Sequence, residues 1–166
     1  MKRVLLTGMS GTGKLTVIEE LAAHGYKAVD TDYDGLSKLA NVPDDEPTGL
    51  DPGQDWVWRE DRIQDLLSAD DAEVLFLGGC APNQGKFYPQ FDHIILLTAP
   101  THTIVERLAA RTKNPYGKRP EEVARVLGLL QTVEPLLKRG AGCVVDTSGP
   151  LDRVVAEVLR LVGMPP

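Results

Sequence analysis

A chain of 166 residues is long enough to bury one sizeable core and too short for two ordinary domains. Its residues are 42% hydrophobic and 25% charged, a globular balance, with so few aromatics (5%) that the core must come from Val, Leu, Ile and Ala. A net charge of −6 argues against the basic footprint of a nucleic-acid or anionic-membrane binder, and two cysteines, Cys80 and Cys143, are too few for a disulfide framework.

The first apolar run, 2–7 (KRVLLT), is continuous, as a strand covered on both faces should be. Behind it stands Gly8-Met9-Ser10-Gly11-Thr12-Gly13-Lys14-Leu15-Thr16, and then a helical stripe of Val17, Ile18, Leu21 and Ala22 that Gly25 ends as a C′ glycine. Further strands are predicted at 27–30, 73–77, 93–98 and 142–146. Trp56, Ile63, Leu66 and Leu67 suggest a second helix, and Ile104, Leu108 and Ala109 a third. Pro120, with Glu121 and Glu122 behind it, opens one long helix through Leu137, and Leu151, Val154, Val155, Val158 and Val162 form the last. Strands alternating with helices predict a single α/β domain over 1–166 with a parallel sheet. Irregular stretches at 41–55, 78–90 and 112–119 would gather at the strands' carboxyl ends, where such folds bind ligands. No apolar run is long enough to span a membrane and no signal peptide is read, so a cytoplasmic protein is expected.

The strand–glycine loop–helix context makes residues 8–16 a phosphate-binding loop rather than a turn that binds nothing. Its glycines let successive N–H groups face phosphate oxygens, the helix adds its positive end, and Lys14 reaches toward the β- and γ-phosphates. Such a loop usually carries Ser or Thr after the lysine, to ligate Mg²⁺; here Leu15 stands there, with Thr16 next. After the second strand, Asp30-Thr31-Asp32 offers one carboxylate for hydrated Mg²⁺ and one for an acceptor hydroxyl, or else a helix N-cap. Gly78-Gly79-Cys80, after the third strand, either admits a ligand to the backbone or simply turns. Trp56 and Trp58 either line a pocket or pack a helix. Lys86 is a further contact to test, and His24, His93 and His102 share no ligand spacing.

With these motifs in order, the chain resembles the shikimate kinase and nucleoside monophosphate (adenylate) kinase-like group of P-loop small-molecule kinases. The likeness rests on the loop, Asp30 and Asp32, Trp58-Arg59, and Gly78-Gly79-Cys80. It continues through a lid from Arg111-Thr112 to Arg119-Pro120, then Pro135-Leu136 and Val145-Asp146-Thr147. The resemblance implies a three-layer P-loop fold with a five-stranded sheet in order 2-3-1-4-5, a small lid at 112–119 and an acceptor region at 33–70. It implies ATP and Mg²⁺, and γ-phosphate transfer to a hydroxyl of a small metabolite. ATP would lie on Gly8, Ser10, Gly11, Thr12, Gly13, Lys14, Leu15 and Thr16, with Arg111 stacked on adenine and Thr147 to Pro150 beside it. Thr16 and Asp30 would place Mg²⁺, Asp32 would align the acceptor hydroxyl, and Arg119 or Lys118 would close on the phosphate. Arg59, Gly78, Gly79 and Cys80 would meet the acceptor.

Three departures bear on that reading. Adenylate-kinase-type loops also lack the hydroxyl at the Leu15 position and carry Thr next. Where shikimate kinases place a carboxylate-binding arginine, two residues before Pro-Leu, this chain has Val133, and Cys80 replaces the third glycine of a triplet. Residues 41–73 hold 11 acids against Arg59 and Arg62, a balance of −9 that leaves +3 elsewhere, while 107–125 carry six bases and two acids. A neutral or cationic hydroxyl compound, such as an amino alcohol, nucleoside or antibiotic-like metabolite, is therefore expected as acceptor. A nucleoside or nucleotide kinase and a nucleotide-binding module with little kinase activity are the alternatives.

Overall fold

The computed structural model describes all residues, 1–166. Five strands, β1 (Lys2–Thr7), β2 (Lys27–Asp30), β5 (Val74–Gly78), β6 (His93–Thr98) and β7 (Cys143–Asp146), form a wholly parallel sheet in the order β2-β5-β1-β6-β7. With the two strands between β2 and β5 set aside, this is the expected order 2-3-1-4-5. The three central strands, β1, β5 and β6, have apolar, buried centres because each face has a cover, while the edge strands β2 and β7 are only partly buried. On β1, Val4 and Leu6 join a cluster with Val17 and Leu21 of α1 (Lys14–Ala23) and Val155 and Val158 of α6 (Leu151–Val162). Leu5, on the opposite face, packs with Ile63 and Leu67 of α2 (Glu60–Ser68). At about 2 kcal/mol for each large apolar side chain buried, this two-sided core holds the sheet rigid beneath the loops at its carboxyl edge.

Helix α1 closes as its sequence predicts: His24 is the cap, Gly25 stands at φ +88°, and its N–H donates to Ala22 O. Two elements differ from expectation. The second helix begins at Glu60, and Trp56 belongs instead to β4 (Gln54–Trp58), paired antiparallel with β3 (Ser37–Asn41) in a stretch read as irregular. This hairpin is too short and too exposed to show a clean alternation. The long helix after Pro120 is two, α4 (Pro120–Thr132) and α5 (Glu134–Gly140), joined at Val133. Pro135 has no N–H for a bond to Gln131, so the chain re-initiates there. α3 (Thr101–Ala110) lies where predicted, and Gln84–Gln90 form a 3-10 helix. No helix is long and apolar enough to cross a membrane.

Candidate active site

The phosphate loop leaves β1 and enters α1 through left-handed backbone at Gly11 (φ +82°) and Gly13 (φ +91°). At Gly11 a Cβ would also come within 2.9 Å of Ile104, so only glycine fits there. Lys14 curls onto its own loop, its Nζ donating to Gly8 O at 2.6 Å and Met9 O at 3.0 Å. Thr12 points inward, fully buried, and donates to Met9 O, so its hydroxyl fixes the loop from below.

Over this loop lies a cavity of about 530 Å³, walled by Ser10 to Thr16 without Thr12, by Asp30 and Asp32, and by Arg107, Arg111 and Thr147. Arg107 ties it together: its guanidinium donates to Thr147 Oγ1 at 2.9 Å and Thr147 O at 2.5 Å. Thr147 in turn donates to Thr12 O at 2.6 Å. Asp30 is buried and its Oδ1 accepts the Asp32 N–H at 2.8 Å, an Asx turn. No helix follows, which removes the N-cap reading of this motif. Burial pushes Asp30 up to about 6, the Asp32 N–H pulling against it, the Asp32 carboxylate adding to it and Lys14 opposing it.

A second cavity of about 940 Å³ opens on the other side of Lys14. Its walls come from the β3–β4 hairpin, from Cys80 to Tyr88, from Lys113 to Tyr116, and from the α4–α5 junction at Val133. Thr31 anchors the hairpin to the sheet, accepting Trp58 Nε1 at 3.0 Å on its hydroxyl and Ser37 Oγ at 2.6 Å on its carbonyl. The two cavities share Ser10, Lys14, Asp32, Tyr33, Lys113 and Asn114.

The family model described as AAA domain matches residues 4–128, three quarters of the chain. The chain belongs to the AAA domain family. Shikimate kinase 2 of Yersinia enterocolitica is 26% identical to this chain, over 96% of the chain and 94% of that protein. Among solved structures, the shikimate kinase of Acinetobacter baumannii in complex with shikimate superposes with a TM-score of 0.64 at 22% identity, covering 98% of this chain and 93% of the other. A gluconokinase of Sinorhizobium meliloti 1021 gives 0.57 at 18% identity, with 98% and 91% covered. These likenesses establish the fold.

Several residues expected at the site stand away from these two cavities. Arg119 caps α4, its backbone N–H and Nε both donating to Glu122 Oε1, and borders neither cavity. Lys118 donates to Ala109 O and folds the lid back on α3. Arg59 is the N-cap of α2 and Pro150 that of α6, and neither borders either of these two cavities. Gly78 and Gly79 are packing glycines: a Cβ would meet Ile18 at 2.6 Å from the first and Thr31 Oγ1 at 2.0 Å from the second. Cys80 does face the second cavity, and burial pushes its thiol up, so it stays neutral there. Trp58 is core while Trp56 faces the cavity, and Lys86 is paired with Glu60 at 2.7 Å. Sequence reasoning missed Arg107, Lys113 and Asn114. The spacing of Arg107 four residues before Arg111 was the available signal; for Lys113 only its lid position was.

Thr16 and Asp30 both border the first cavity and supply hard oxygen donors. No three carboxylate, histidine or cysteine groups converge anywhere, so an ion there would keep waters and lean on nucleotide phosphates, which suits Mg²⁺.

Proposed function

We propose that this protein is an ATP-dependent phosphotransferase that moves the γ-phosphate of ATP to a hydroxyl of a small metabolite, with a shikimate-kinase-like arrangement and a different acceptor. One observation carries the reading: two ligand-sized cavities meet along a rim made of Lys14, Asp32 and Lys113. That rim is where a phosphoryl group passing between them must lie. ATP occupies the smaller cavity, its phosphates on the loop amides and Lys14. The acceptor hydroxyl sits at Asp32, which orients it and takes its proton as oxygen attacks phosphorus and the bridging bond breaks toward ADP. Mg²⁺, held by Thr16 and Asp30, supplies charge neutralisation when bound. Lys113 is the lid cation that reaches the transferring group, a role the sequence suggested for Arg119. In this resting form its Nζ is 2.5 Å from Glu19 Oε1, so closing the lid exchanges that partner for phosphate. A different acceptor from shikimate is supported by Val133 and by the absence of arginine from the larger cavity's wall.

The test is acceptor-stimulated ADP release. Lys14→Met and Lys113→Ala should each lower turnover by roughly 100-fold or more while ATP-free thermal unfolding stays unchanged. Full activity in Lys14→Met would sink the mechanism. Leu15, a wall residue with no hydroxyl, favours the second reading, a nucleotide-binding module. Tight ATP binding with no ADP release for any hydroxyl compound, in wild type and in Leu15→Ser alike, would establish it.

A further inference from the structure

Four carboxylates border the larger cavity, Asp32, Asp34, Glu46 and Asp55, and none of them is ion-paired. Asp51, on the same β3–β4 connection, does not border this cavity and is paired with Arg125 at 2.8 Å. The only cations on the wall, Lys14 and Lys113, lie on the rim shared with the nucleotide cavity, while Glu46 and Asp55 border the larger cavity alone. The part of the cavity remote from the phosphates is therefore purely anionic. Burial pushes the Asp55 carboxyl up, the Trp56 N–H and the Thr48 hydroxyl oppose this, and neighbouring Glu46 adds to it.

A second feature of the wall is independent of charge. Five large hydrophobic side chains stand well exposed in this protein, and three of them face this cavity: Tyr33 (43% exposed), Trp56 (52%) and Leu136 (56%). Neither Tyr33 nor Trp56 packs against another ring. Free aromatic faces beside carboxylates bind organic cations, through the ring quadrupole and the charge together. A bare metal ion would need several oxygens converging on one point, and no three acids do so. An anionic acceptor finds no arginine on the wall, and the wall's two lysines lie on the rim shared with the nucleotide cavity, away from Glu46 and Asp55.

We infer that the acceptor is a hydroxylated organic cation, an amino alcohol or amino sugar. Its ammonium group is held by Glu46 and Asp55 near Trp56 while its hydroxyl is presented to Asp32. This rests on the phosphotransferase reading and narrows its acceptor. A cavity of about 940 Å³ accommodates a ring-sized ligand with its water.

The experiment uses triples matched in shape and graded in charge: glucosamine, glucose and glucuronate; serinol, glycerol and glycerate; 2-deoxystreptamine, myo-inositol and shikimate. Binding is measured by calorimetry on the full chain, and ADP release in parallel. The amine should bind about tenfold or more tightly than its neutral partner, and the acid weakest. Asp55→Asn with Glu46→Gln should erase that preference; Asp55→Asn keeps the oxygen that accepts the Trp56 N–H. Glu46→Lys, an exposed-site change that tests the same point if the double variant misfolds, should turn the preference toward the acids. Equal or better binding of the neutral or acidic members, or no binding of any amine at millimolar concentration, overturns the inference. ADP release stimulated by acids alone would overturn it while leaving the phosphotransferase reading intact. Amine binding that depends on Glu46 and Asp55 but releases no ADP would uphold the cation site and remove the phosphotransfer.

Discussion

Asp30 shows how one residue joins the fold to the chemistry. It ends β2 with its carboxyl buried and raised to about 6 from 3.8, chiefly by burial. In an unfolded chain this group ionises near 3.8, so between there and about 6 the folded state binds the extra proton. Stability from this group is fully present below 3.8 and is lost as pH rises through 6. At neutral pH the buried charge therefore costs on the order of 3 kcal/mol without a cation beside it. Asp30→Asn, which can still accept the Asp32 N–H, should raise the thermal midpoint at pH 7 and lose that advantage below pH about 4. Unfolding scans from pH 4 to 8 measure it. A midpoint difference that does not change with pH would mean the buried charge carries no such cost. The variant should also lose Mg²⁺-dependent turnover, since an amide cannot supply the negative oxygen that the site keeps at that expense.

Among the elements, the lid and the acceptor hairpin are joined without sharing a core. Tyr116 Oη, in the lid, donates to Gly49 O at 2.6 Å, and Arg125 of α4 pairs with Asp51 at 2.8 Å. Both partners lie in the connection between β3 and β4. Under the proposed function, closing on ATP and closing on the acceptor would thus be mechanically linked. Tyr116→Phe removes a bond of about 1 kcal/mol, which should raise cleavage of the 42–53 connection by thermolysin roughly fivefold. Core melting should stay as it is; unchanged cleavage would show that the lid does not hold the hairpin. This pair of elements was also the least legible in the sequence. β1 and β6 are legible to the residue because strands buried on both faces leave an uninterrupted apolar run, while β2, a short edge strand reading KAVD, is legible only from its place leading into Asp30-Thr31-Asp32. The hairpin is half exposed, so Trp56 joined a helical spacing with Ile63 that the chain never forms. The same physics hid where Lys113 and Arg119 stand: the local sequence of 112–119 says that it turns and carries charge, but not which cation borders the cavities.

Across the whole molecule, charge is sorted by the two ends of the sheet rather than by stretches of sequence. Much of the −9 segment lies away from the larger cavity: Asp70 pairs with the N-terminal ammonium and Asp71 with Lys27, at the end where β1 and β2 begin. Only Glu46 and Asp55 of that segment border the cavity, joined by Asp32 and Asp34 from before it. The acidic bay is thus a product of folding, which composition suggested for a partly different set of residues. Stability should follow the same division. Strands β1, β5 and β6 are buried on both faces, whereas the acceptor side rests on a two-stranded hairpin, an element only marginally stable by itself. Amides of β5 should therefore exchange only with global unfolding, and those of 37–58 through a local opening of much lower free energy. ATP alone should protect the phosphate loop and the lid. ATP analogue with a bound acceptor should extend protection to 37–58, because both cavities then hold the shared rim. Hydrogen exchange read by mass spectrometry resolves these segments. Equal protection of β5 and the hairpin in the free protein would mean that the acceptor lobe folds as one unit with the sheet, leaving no separate closing step for the acceptor to drive.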